Sequence, residues 1–231
     1  MAVLSFLIPV AVLGLIAWIV VGFRSRGAEP FTLATATALY ARVLIVAGVL
    51  IALTGVGTVL KALIAFINLS YSYFDYSGWT GYAPLGPGAG GSGPLGPALG
   101  YLERQRGQDL VLGITLIVIG VLVAVAHLYL ARVMAGMVGG SPNWVTRGTL
   151  LALAVTTAIG AIPSAALGLY GMLSYFIVGS VQNVVYTGGS PQQPWGEPLG
   201  AAIAFVPAWI FVMTRLVRDL RKVPRAPAPA A

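Results

Sequence analysis

Between Arg42 and Lys61 the chain reads VLIVAGVLIALTGVGTVL, eighteen residues without a charge. Nineteen helical steps of about 1.5 Å carry it roughly 28 Å, close to the hydrocarbon thickness of a bilayer. Such a segment has few ways to fold, because hydrocarbon offers no water to its backbone groups and a helix satisfies them within one segment. The two cations then bracket a crossing. Arg42 and Lys61 are expected to be interface anchors, with the Lys61 ammonium snorkelling to the outer edge rather than serving as a buried functional charge. Beyond Lys61 the apolar run ALIAFINL continues for two more turns, and these are expected to bury against protein.

Four further stretches are long and apolar enough to cross, which gives spans near 2–22, 36–67, 109–132, 147–178 and 198–220. With 58% of residues hydrophobic and 8% charged, the expected fold class is an all-α integral membrane protein with five transmembrane helices. The first stretch lacks a basic leader and a small-residue cleavage pattern, and bases follow its apolar run, so it reads as a retained helix with its N-terminus outside. The fourth, from Arg147 to Val178, is about 48 Å long if helical throughout, more than an upright crossing needs. A kink at Pro163, tilt or projection beyond the membrane absorbs the excess, and projection is favoured.

The chain has thirteen bases and six acids, a net charge of +7. Five spans with the N-terminus outside put ten bases on the inner face, among them Arg42, Arg132 and Arg147, each an expected interface anchor. The outer face keeps Arg104 and Arg106 beside Asp75, Glu103, Asp109 and Glu197. That bias follows the positive-inside rule, so the charge reports topology and not a nucleic-acid partner. Anionic headgroups remain available to the cluster RLVRDLRK. Trp18, Tyr40, Tyr129 and Trp144 fall at the inner edge and Tyr101, Tyr175 and Trp195 at the outer one, as two aromatic belts. The expected localisation is a cell membrane, multi-pass, with the C-terminus cytoplasmic.

The organisation reads as a leading helix (1–23), a first helical pair (36–132) carrying a Tyr-, Gly- and Pro-rich extracytoplasmic loop (70–108), a second pair (147–222) and a disordered tail (223–231). The aromatic first half of the loop is expected to cap the protruding helix ends, and PLGPGAGGSGPLGP to act as a linker. Setting Arg42 on Arg147 places Gly55 on Gly160. Setting Asp109 on Glu197 gives each partner helix an acid at one end and bases at the other. The two pairs therefore read as a possible parallel duplication. The run ALYARVLIVAGVLIALTGVGTVLKALIAFI, followed by a shorter helix and repeated once, resembles a family of bacterial multi-spanning membrane proteins built from paired helices, a domain of unknown function. The second pair departs from it, since RGTLLALAV lacks the aromatic before the helix. The resemblance implies no catalytic or ligand residues.

Little in the chain points to chemistry. There is no cysteine and a single histidine, which excludes disulfides, thiolate metal sites and multi-histidine centres. No metal site, catalytic residue or resident cofactor is expected. His127, in VAVAHLYLAR, is expected to hydrogen-bond a neighbouring helix. Ligation of a chlorophyll or haem in a larger complex is its weaker alternative, and a proton relay weaker still for want of acids at membrane depth. Ala152, Thr156, Gly160, Ser164 and Gly168 recur at intervals of four, a small-residue stripe that admits a close helix and offers hydroxyls for interhelical bonds. Thr54 and Thr58 are expected to bond back to their own helix. The functional expectation is a non-catalytic structural or accessory subunit, with membrane lipids and other integral membrane subunits as partners. The alternative is a small channel or transporter with its path between the pairs, and an enzyme of lipid chemistry ranks third.

Overall fold

The computed structural model describes residues 33–67, 72, 96–138, 143–182 and 194–221, and all the regular structure among them is helical. The leading span 2–22, most of the loop and the tail lie outside the described residues. The four helices are α1 (Leu33–Ile67), α2 (Gly96–Val138), α3 (Asn143–Gln182) and α4 (Gly196–Arg221). All four are long and apolar enough to cross a membrane.

Burial supports that reading. Only 17% of the most apolar window of α2 is buried inside the protein, and Val111, Val118, Leu122 and Val125 stand open along it. Apolar area of this extent is unfavourable in water and is satisfied by lipid chains. The chain is an integral, multi-pass membrane protein.

Helix ends depart from the hydropathy boundaries. The third span was expected from residue 109, yet α2 begins at Gly96 and takes in the end of the expected loop. Loss of hydropathy marks where a membrane stops, not where a helix does. The segment PALGYLERQRGQ opens with a proline, suited to a first turn, and continues in good helix formers. At 35, 43 and 40 residues, α1, α2 and α3 all exceed the roughly 20 that a crossing needs. The excess in α2 went unforeseen. Pro163 and Pro207 lie inside α3 and α4, and each helix continues past its proline. In α4 the Trp195 carbonyl accepts the Leu199 N–H at 3.0 Å, Glu197 occupies the first turn, and Arg218 and Arg221 the last. Those charges complement the helix dipole.

The chain divides into two compact units, each drawing on all four helices. One comprises Ala52–Val118 and Ala161–Ala204, the other, in its described residues, 33–51, Ile119–Gly160 and 205–221. In the second unit, Ala154, Val212 and Leu216 form a core with Leu150 and Leu153 against it, and Arg147 Nε donates to Asp219 Oδ2 at 3.3 Å. In the first, Ala65 packs on Leu102. Of the expected overhang of α1, Ala62 and Ala65 are buried, whereas Leu63, Phe66 and Ile67 are exposed. The Arg106 guanidinium covers the Phe66 ring at 4.1 Å.

Candidate functional site: one lysine between two acids

The site is built by glycines. A Cβ on Gly55 would stand 2.6 Å from the Gly113 carbonyl oxygen and 2.7 Å from the Ile117 nitrogen, so α1 and α2 touch backbone to backbone there. Two residues on, roughly the opposite side of a helix, a Cβ on Gly57 would meet Ala201 Cα at 3.2 Å. One on Gly200 would lie 2.7 Å from the Gly57 carbonyl oxygen and 3.0 Å from the Lys61 nitrogen. In this unit α1 therefore has α2 on one face and α4 on another, each approach closer than any side chain permits.

Lys61 follows Gly57 by one turn, Asp109 precedes Gly113 by one, and Glu197 precedes Gly200 by about one. The two crossings thus bring three ionisable side chains together. Lys61 Nζ lies 2.9 Å from Asp109 Oδ2 and 3.4 Å from Glu197 Oε2. Lys61 is 13% exposed, Asp109 18% and Glu197 52%. Ser72, itself buried, donates to the Lys61 carbonyl oxygen at 2.7 Å and returns the chain after α1 to the same place. The ammonium is turned onto carboxylates rather than snorkelling to water. Asp109 and Glu197, read from sequence as acids solvated on the outer face, are its counter-ions. Among the described residues the group carries two carboxylates and one ammonium, a formal charge of −1. Removal of one partner from a largely buried pair leaves a costly lone charge, which makes the cluster a constraint on helix placement.

The small-residue stripe packs within the chain. Gly160 and Gly168 face α4: a Cβ on Gly160 would lie 2.5 Å from Phe205 Cδ1, and one on Gly168 would lie 2.8 Å from the Leu199 nitrogen. Thr156, Thr157 and Ser164 are buried. The expected interhelical hydroxyl bonds are corrected for the threonines, since Thr156 Oγ1 donates to Ala152 O at 2.7 Å and Thr157 Oγ1 to Leu153 O at 2.6 Å, both within α3. A hydroxyl one turn on reaches its own helix carbonyl at little entropic cost. Thr58 does likewise to Thr54, as expected.

His127 Nδ1 lies 2.7 Å from Val123 O on its own helix, rather than on a neighbour as expected. A carbonyl only accepts, so Nδ1 is the donor of this contact. The neighbouring contact is aromatic, edge-on to Tyr40 of α1 at 5.7 Å. Tyr40 and Tyr129 stand exposed, in keeping with a belt, but Trp195 is buried against Tyr175 and Phe176. Of the remaining anchors, Arg42 is half-buried and Arg132 exposed. No cluster of three or more potential metal ligands occurs among the described residues.

Several contacts fall at matching positions in the register expected for the two pairs. The register that sets Arg42 on Arg147 and Asp109 on Glu197 also carries Gly55 to Gly160 and Ile117 to Phe205. Both glycines press on the corresponding residue, Gly55 on Ile117 and Gly160 on Phe205. The same register carries Gly48 to Leu153 and Ala124 to Val212. Gly48 abuts Ala124, and Leu153 packs on the core that holds Val212. Sequence alone suggested the acid pair, but not that one lysine holds both. The clue available was that Lys61 aligns with Ala166, which leaves the second pair without a cation there. Comparisons with protein-family models, with curated proteins and with solved structures find no match for this chain.

Proposed function

We propose that the protein is a non-catalytic structural or accessory subunit of a larger assembly in a cell membrane. In this reading it has five spans, the N-terminus outside, the C-terminus in the cytoplasm, and lipids and other integral membrane subunits as its partners. The two helical pairs are copies of one unit, of the kind found in the paired-helix bacterial family that the chain resembles from about Ala38 to Lys222. The observation that carries the proposal is how the polar groups of the spans are used. The Thr58, Thr115, Thr156, Thr157 and Thr214 hydroxyls and the His127 ring bond back to carbonyls of their own helices. The glycines serve close helix contacts. Polar groups satisfied within their own helices favour packing over turnover or conduction. Extraction in native lipid, followed by identification of companions, tests it: stoichiometric integral membrane partners are expected, and a chain that runs alone in every mild extraction would defeat the proposal.

A second reading, a small channel or transporter, draws on the ion cluster itself, because ionisable groups within membrane-crossing helices often mark substrate paths. Reconstituted vesicles decide it. Flux of an ion or solute that is lost in K61M would favour transport, and vesicles tight to every solute tried would reject it.

A further inference from the structure

Within each pair the contacts repeat, but the junction between the pairs does not. The register that superposes the pairs carries Gly57 to Ile162 and Gly200 to Leu112, and these two are 58% and 39% exposed. Lys61 goes to Ala166, also exposed. The approach of α1 to α4 through Gly57 and Gly200 is therefore made once, and its counterpart positions carry bulky side chains left open. The same place holds a residue with no equivalent in the other pair. Lys61 touches Asp109, the acid of its own pair, and Glu197, the acid at the matching position of the other.

We propose that Lys61 is a shared counter-ion that latches the second helical pair to the first. The ammonium sits one turn beyond Gly57, where α4 passes, so its second contact fixes the rotation and depth of α4 against α1. Its first fixes α2 against the same helix. The division of labour follows from exposure. Asp109 is nearly as enclosed as Lys61 and forms the base of the latch, whereas Glu197, half exposed, is the arm that can leave without stranding a buried charge. This is independent of whether the protein serves as a subunit or a transporter.

The chain has no cysteine, so pairs of labels go in without background. Spin labels at Leu63→Cys and Ile203→Cys, both on exposed positions, report the distance distribution between α1 and α4. Labels at Leu63→Cys and Ile114→Cys report α1 and α2. In the full chain in lipid nanodiscs, E197Q is expected to broaden the α1–α4 distribution and leave α1–α2 as it was. D109N should do the reverse, and K61M should broaden both. In the apparent Tm, K61M with E197Q should lose less than the sum of the single losses, as expected of residues that share one interaction. The proposal is overturned if E197Q leaves the α1–α4 distribution and the Tm unchanged, or if K61M and E197Q add. Should K61M fail to fold, E197Q carries the test by itself, because Lys61 there keeps Asp109.

Discussion

Gly200 and Gly57 face each other across α4 and α1, and a methyl group on Gly200 would stand 2.7 Å from the Gly57 carbonyl oxygen. A carbonyl cannot rotate away as a side chain does, so α4 would have to move bodily. We expect G200A to destabilise the protein by about 1–3 kcal/mol. G57A should cost less, because its new methyl meets Ala201 Cα at 3.2 Å. G107A, with nothing within 4 Å, should be neutral or stabilise by up to about 1 kcal/mol through helix propensity. Thermal unfolding of the three variants in one mild detergent checks the order, and a G107A loss as large as that of G200A would refute the backbone-contact account.

At Gly160 the obstacle is a ring. A Cβ there would lie 2.5 Å from Phe205 Cδ1 and 2.8 Å from Cε1, and Phe205 is buried with little room to swing. G160A is expected to cost about 1–3 kcal/mol. F205L, which trims the ring, should make G160A less harmful than in the parent chain. A double-mutant cycle measures this coupling, and simple additivity would show that the methyl is accommodated in some other way.

The buried threonines of α3 should tolerate loss of the hydroxyl but not of volume. Thr157 is fully buried and its Oγ1 shares the Leu153 carbonyl with the helix ladder. T157V leaves no orphaned acceptor, and its effect should stay within about 1 kcal/mol. T157A opens space at the same point and should cost more, about 1–2 kcal/mol. T156V is expected to follow T157V. A large loss in either valine variant, seen in thermal unfolding, would mean that the hydroxyl bridges helices after all.

The Arg147–Asp219 pair should matter little by itself. Its side chains are 41% and 35% exposed at 3.3 Å, a setting in which solvent and salt screen most of the attraction. R147A and D219N are each expected to change stability by less than about 1 kcal/mol. Replacing the partner-sharing Lys61 by methionine should cost several times more. Comparison of the three under one unfolding protocol checks the ranking.

The four described spans were legible because hydrocarbon imposes a length and excludes charge, and the uncharged run from Arg42 to Lys61 satisfied both demands. Gly160 and Gly168 were legible as packing positions for a similar reason, since four-residue spacing places them on one face. Helix ends were not, because Glu103, Arg104 and Arg106 leave the apolar run without breaking a helix. The partner of Lys61 was also hidden. Distance along α1 placed it at a membrane edge, but its neighbours there are decided by where Gly113 and Gly200 cross α1, a tertiary matter. Trp195 shows the same limit: its position near an end of α4 suited a headgroup belt, but its burial against Tyr175 and Phe176 is a tertiary contact that position alone does not reveal. His127 and the α3 threonines found partners one turn back on their own helices, where a neighbour had been expected.

The open flank of α2 has a practical corollary. Val111, Val118, Leu122 and Val125 are coated by whatever amphiphile surrounds the protein, so that coat is a structural component and not a passive solvent. Short-chain or harsh surfactants, whose tails cover such a flank poorly, should shorten the lifetime of the purified protein well before they disturb the glycine contacts beneath. Its measured robustness will therefore belong jointly to the polypeptide and to the agent chosen to extract it.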